Sequence, residues 1–126
     1  MNSLQINTGD GCTTFEPGEK IDIVAEWSLI DRPTAVEIRL VWNTQGKGGT
    51  DMEVVDTIAL DNPQSCDTHR TTIQLPTEPY SFSGKLISLI WGLELVAIGT
   101  NESSRIDITI APKREEVILH RDSIDP

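Results

Sequence analysis

Apolar and polar residues alternate along two early segments of the chain. Every odd position from Ile21 to Leu29 is apolar, and three of the four positions between them are polar. The same period of two runs from Val36 to Trp42. Because successive side chains of a strand point to opposite faces, this pattern predicts two half-buried strands. Only a short break around Arg32-Pro33-Thr34 separates them, so we predict that they pair as an antiparallel hairpin.

Further short apolar segments are separated by turn-forming residues, and no segment before Pro112 has a convincing helical period. The additional predicted strands are about Glu53–Leu60, Arg70–Leu75, Leu86–Ile98 and Arg105–Ala111, with Leu4–Ile6 as an edge strand. Short strands with turns between them predict an all-β fold. The architecture expected is an immunoglobulin-like antiparallel β-sandwich of about seven strands, with a single barrel as the alternative.

The end of the chain has a different pattern, so we divide the chain into a sandwich domain at 1–111 and a tail or extra edge strand at 112–126. In the tail, the apolar residues Val117, Ile118 and Leu119 lie between charged residues. An exposed apolar segment of this kind is expected to be covered. It either folds back on the sandwich, as an edge strand or a single helical turn, or pairs with another chain. These three residues are therefore the candidate partner-binding residues.

Composition narrows the classes of partner. The chain has 126 residues, 37% of them hydrophobic, which is enough for one core. Its net charge of −10 argues against nucleic acid and anionic membrane as main partners and favours a protein with a basic surface. The longest apolar stretch is much shorter than the roughly 20 residues of a membrane span, and no leader pattern is visible. We therefore expect a cytoplasmic protein, with a trimmed secreted protein as the alternative.

The two cysteines, Cys12 and Cys66, each follow turn-forming residues. An immunoglobulin disulfide instead joins two mid-strand cysteines, so the spacing does not indicate one. Two free thiols, as in a reducing compartment, are the favoured interpretation, and a disulfide between two loops is the alternative. No Cys-x-x-Cys spacing indicates a metal site.

Other candidate chemistry is sparse. Asp67 and His69 lie two positions apart in a predicted loop and are interpreted as solvated side chains rather than metal ligands. The segment Gly46–Thr50 fails the phosphate-loop pattern and joins strand to strand. The acids Asp51, Glu53, Asp56 and Asp61 match no calcium loop.

The tryptophans fall on the apolar faces of strands and are predicted core residues rather than a sugar platform: Trp27, Trp42 and Trp91. We expect no catalytic residue, metal or cofactor.

Two motifs resemble the arrestin-like β-sandwich family. Phe15-Glu16-Pro17-Gly18-Glu19 resembles the family's Pro-Gly-Glu strand opening, and Pro79-Tyr80-Ser81-Phe82-Ser83-Gly84 resembles its Pro-x-Ser-Phe-x-Gly turn before a long strand. The order of the motifs fits, and the likeness covers roughly residues 15–111. The resemblance implies an arrestin-like sandwich that acts as a non-enzymatic adaptor through sheet edges, faces and loops. A homo-oligomer formed through sheet edges or the tail is a further expectation for such an adaptor. The alternative function is a secreted or surface sandwich that binds carbohydrate or calcium.

Overall fold

The computed structural model describes residues 2–46, 51–84, 87–100, 102–112 and 117–119, the last three by their backbone alone. Almost all of the regular structure is strand. The strands are β1 (Ser3–Thr8), β2 (Thr14–Phe15), β3 (Lys20–Ser28), β4 (Ala35–Gly46), β5 (Met52–Asp61), β6 (Cys66–Gln74), β7 (Phe82–Gly84), β8 (Ile87–Ile98), β9 (Glu102–Ile110) and β10 (Val117–Leu119).

These strands form the two sheets of a β-sandwich, which confirms the predicted fold class. The small sheet has the order β1-β3-β6. The large sheet has the order β10-β7-β8-β4-β5, and β9 pairs with β8 and with β2. The pairings are antiparallel except for two short parallel ones, β2 with β9 and β10 with β7.

The predicted hairpin between the first two long strands is wrong. β3 pairs with β1 and β6, whereas β4 pairs with β5 and β8, so the two strands lie in different sheets. The connection between them crosses the sandwich. Leu29 donates its N–H to Ser65 just before β6, and Thr34 donates its N–H to Ile98 at the end of β8, at 2.7 and 2.9 Å. Two strands that each have one apolar face can lie side by side in one sheet, or they can lie in opposite sheets with those faces packed against each other. The alternation of apolar and polar residues is the same in both cases.

The core lies between the two sheets and follows the alternation of the strands. Buried apolar side chains come from both inner faces; they include Ile6, Ile21, Ile23, Ala25, Trp27, Val36, Ile38, Leu40, Ile73, Leu89, Trp91, Leu93, Leu95, Ile108 and Ile110. Each fully buried aliphatic side chain of this kind stabilises the fold by roughly 1.5–3 kcal/mol. Trp27 and Trp91 are buried as predicted, and Trp42 is partly buried and packs against the same cluster.

The two motifs of the family resemblance have clear structural roles. Pro17 and Gly18 form a turn closed by a hydrogen bond from Glu19 N–H to Glu16 O at 3.1 Å, with a φ of 79° at Gly18. Proline followed by a positive-φ glycine is the signature of a type II turn. In the second motif, Ser81 is buried and holds the end of β9, because it exchanges two hydrogen bonds with the backbone of Ile110.

Candidate interaction surface

The two thiols do not form a site in the structure. Cys12 and Cys66 are both free. Cys12 is half-buried, and its Sγ lies 3.2 Å from the carbonyl oxygen of Thr14. Cys66 is exposed at the start of β6. The two thiols are therefore not bonded to each other.

Asp67 and His69 lie on β6 rather than in the predicted loop, because the strand starts at Cys66 and not near Arg70. They pair with Trp27 and Ala25 of β3. The Asp67 carboxylate accepts the N–H of Thr68 at 2.8 Å, so it is hydrogen-bonded to the backbone of its own strand. Among the residues that the structure describes, no three His, Cys, Asp or Glu side chains are grouped as metal ligands.

The four acids considered for calcium are spread along one strand. Glu53, Asp56 and Asp61 lie on β5, and Asp51 precedes it. The N–H of Asp51 bonds the Thr44 hydroxyl and its carbonyl accepts the Thr44 N–H, which closes the β4–β5 connection. Residues 47–50, the centre of the loop compared with a phosphate loop, lie outside the described residues. The acids therefore give β5 a negative charge along its length and do not converge on one point.

The strand β5 is an edge of the large sheet, since within the described chain it pairs only with β4. It also carries three exposed apolar side chains, Met52, Val54 and Val55, which are 53%, 45% and 42% exposed. Clustered exposure of this kind on an edge is a recognised interaction feature. We call Met52–Val55 the β5 edge surface. The sequence carries a signal of this surface in the two adjacent valines, which break the alternation of the segment.

A shallow groove lies beside the other end of β5, between the two sheets. Its volume is about 350 Å³, and Trp27, Leu60 and Asn62 contribute to its lining, with Asp61 and Asp67. The indole N–H of Trp27 is already bonded to the carbonyl of Gln64 at 2.8 Å. The His69 imidazole also lines it, so the groove offers apolar surface, carboxylates and one imidazole.

The candidate partner-binding residues Val117, Ile118 and Leu119 form β10. They pair in parallel with Phe82, Ser83 and Gly84 of β7, at the opposite end of the large sheet from β5. The backbone thus folds back on the same chain at this point. Contact of these residues with a partner stays a prediction.

Comparison with known proteins places the fold. No protein-family model matches the chain, and no curated protein matches it. The crystal structure of Spo0M, a sporulation control protein from Bacillus subtilis, superposes with a TM-score of 0.62 at 13% identity, over 87% of this chain and 49% of that one. The chain has an arrestin-like β-sandwich fold. It spans about half the length of Spo0M.

A second group of solved structures overlaps less well. The β-glucosidase of Listeria innocua in complex with gluconolactone superposes with a TM-score of 0.48 at 11% identity, over 92% of this chain and 16% of that one. A second crystal structure of that enzyme gives a TM-score of 0.48 at 12% identity, over 92% and 16%. Superpositions at this level carry no argument about activity. Within the described residues, no helix is long and apolar enough to cross a membrane.

Proposed function

We propose that this chain is a non-enzymatic protein-interaction domain of the cytoplasm, which acts as an adaptor through the edges of its arrestin-like sandwich. The observation that carries the proposal is the layout of the large sheet. It ends in β10 on one side and β5 on the other, and each has a single partner strand among the described residues. Open strand edges bind other chains through backbone hydrogen bonds, without any reactive group.

The likeness to Spo0M, a sporulation control protein, supports a regulatory role for this adaptor. The kind of partner follows from charge. At a net charge of −10, the chain is best matched by a protein with a basic surface, because complementary potentials speed encounter and exclude like-charged partners. A second copy of the chain is the less favoured partner for the same reason.

We include Val117, Ile118 and Leu119 in the proposed binding region. Their backbone forms an outermost strand of the large sheet, and one side of that strand has no pairing within the described chain. A partner strand placed beside β10 would extend the sheet. In the sequence this strand is an apolar tripeptide flanked by charges.

The test uses tagged full-length protein and a version that ends at Ala111, both checked for the same melting behaviour. Each is used to capture proteins from lysate of the source organism at low and physiological salt, and any captured protein is then purified and titrated back. We expect a stoichiometric complex with the full chain that weakens as salt rises. Loss of the complex on truncation would assign the contact to the tail. If the full chain forms no complex with a purified partner at either salt concentration, the proposal is contradicted.

A further inference from the structure

We propose that the β5 edge surface, Met52–Val55, is the docking edge for an extended basic segment of a partner protein, which adds to the large sheet as an extra strand. The proposal rests on the interaction function proposed above and names where the partner binds and what its chemistry is. It is independent of β10, which lies at the other end of the same sheet.

The first support is the exposure of apolar side chains on an edge that has no second partner strand among the described residues. Six large hydrophobic residues of the described chain are strongly exposed, and three of them fall within four consecutive positions of β5; the six are Ile30, Met52, Val54, Val55, Tyr80 and Ile87. Natural edge strands are usually short, carry charged side chains or are covered by a helix or loop. These features prevent the pairing with other chains that an open apolar edge would allow. The exposed apolar residues at Met52–Val55 therefore make this part of β5 suited to accept another strand.

The second support is charge. Residues 51–61 contain four acidic side chains and no lysine or arginine. A second copy of β5 paired with this strand would place like charges near one another, which destabilises a strand pair. A segment that alternates basic and apolar side chains would instead neutralise Glu53 and its neighbours and cover the exposed valines. The occupant is therefore a basic hetero-partner rather than another copy of the chain.

The third support is local and sets the limit of the docking edge. The pairing of β4 with β5 shifts in register between Leu40 and Val41, where Val55 is left without an opposite residue. Immediately after it, the Asp56 carboxylate accepts the N–H of Thr57 at 2.9 Å, so that donor is not offered to an incoming strand. A bulge followed by an occupied donor ends a regular ladder. The available edge is thus Met52–Val55, similar in length to the three-residue β10–β7 pairing.

The experiment measures binding of three synthetic peptides to the full chain: an alternating Lys-Val peptide, an alternating Glu-Val peptide and a Lys-Val peptide with prolines at alternate valines, which keeps every lysine. Affinity is titrated at low and physiological salt. Hydrogen exchange locates the contact. We expect the Lys-Val peptide to bind, with slowed exchange at Met52, Val54 and Val55. The Glu-Val peptide should not bind, because its charge is wrong, and the proline peptide should not, because it lacks ladder donors.

Two matched pairs of variants decide whether the contact is at β5. Val54→Asp should weaken the Lys-Val peptide about tenfold or more, a change of roughly 1.4 kcal/mol. Ile30→Asp adds the same charge at a side chain that is 73% exposed outside the strands, and should have little effect. Glu53→Lys should weaken binding and flatten its salt dependence, whereas Glu26→Lys, on the outer face of β3, should do less.

Three results would overturn the proposal: equal binding of the Glu-Val peptide, slowed exchange confined to other strands, or unchanged affinity in Val54→Asp. A dimer of the chain alone that Val54→Asp dissociates would identify a second copy as the occupant and overturn it as well. If a cellular partner captured by the full chain is still held by Val54→Asp, the β5 inference fails while the proposed interaction function stands.

Discussion

The guanidinium group of Arg105 lies directly over Gly92, so closely that a Cβ added to Gly92 would stand 2.5 Å from Nε of the arginine. From this position on the outer face of the large sheet, Arg105 donates to Asp107 at 2.9 Å and to Asn43 at 2.6 Å. The carboxylate oxygen Oε2 of Glu94 lies 3.8 Å from Nη1 of Arg105. The arginine therefore links β4, β8 and β9, and the glycine provides the space for it.

We predict that Gly92→Ala destabilises the protein by about 1 kcal/mol or less, because the methyl group must displace the end of a flexible, partly exposed arginine side chain from its hydrogen bonds. Urea unfolding followed by tryptophan fluorescence measures the change. The matched test is the double-mutant cycle with Arg105→Ala. In the Arg105→Ala background, Gly92→Ala should cost much less. An equal cost in both backgrounds would show that the glycine serves the strand and not the arginine.

Ser81 gives a second prediction. It is only 1% exposed, and its hydroxyl oxygen accepts the N–H of Ile110 at 3.0 Å. Ser81→Ala leaves that buried N–H without its acceptor, which costs about 1–3 kcal/mol. Chemical denaturation of the variant measures this, with Ser28→Ala at an exposed position of β3 as the control. Equal stability of the two variants would mean that water or a local shift replaces the hydroxyl.

The turn at Pro17-Gly18 gives a third prediction. Gly18 has a φ of 79°, a region that costs residues with a Cβ roughly 1–2 kcal/mol. Gly18→Ala should lose stability of that order, and Gly18→Asn should lose less, because asparagine tolerates this conformation better. Thermal unfolding of the two variants compares them. If alanine proved as stable as asparagine, the turn would have rearranged, and the Gly18 N–H bond to Pro76 O would be the place to look for the change.

The sequence was informative about strands because a period of two reports directly which side chains are buried. The odd positions of β3, and those of β8 from Leu89 to Ala97, are in the core as the alternation indicated, whereas Ile87 at the start of β8 is 47% exposed. Alternation says nothing about which strand lies beside another, which is why the β3–β4 hairpin was wrong. That choice depends on the connection between the sheets, where Leu29 bonds Ser65 and Thr34 bonds Ile98, and these contacts are distant in sequence.

The candidate surface was less accessible to sequence reasoning. Val54 and Val55 only weaken the alternation of their segment, which by itself does not separate an edge strand from a poorly patterned central one. Their exposure follows from the position of β5 at the end of the sheet, and that position depends on long-range pairing with β4. The apolar residues of the tail could be recognised from sequence, but not their pairing in parallel with β7.

The last prediction concerns how the two edges beside the groove are kept from pairing. On β5 the carboxylate of Asp56 accepts the N–H of Thr57, and on β6 the carboxylate of Asp67 accepts the N–H of Thr68, at 2.9 and 2.8 Å. Each aspartate occupies a backbone donor of an outer strand and adds a negative charge, and both effects discourage strand addition.

We therefore expect the double variant Asp56→Ala, Asp67→Ala to self-associate more readily than the unaltered chain. The measurement is sedimentation velocity over a range of protein concentrations. Asp22→Ala combined with Asp31→Ala removes the same charge from positions whose side chains bond no edge N–H among the contacts described, and it serves as the control. Greater association of the first pair alone would assign the effect to the occupied donors. Equal association of both pairs would assign it to net charge, because lowering the charge of an acidic protein reduces its self-repulsion.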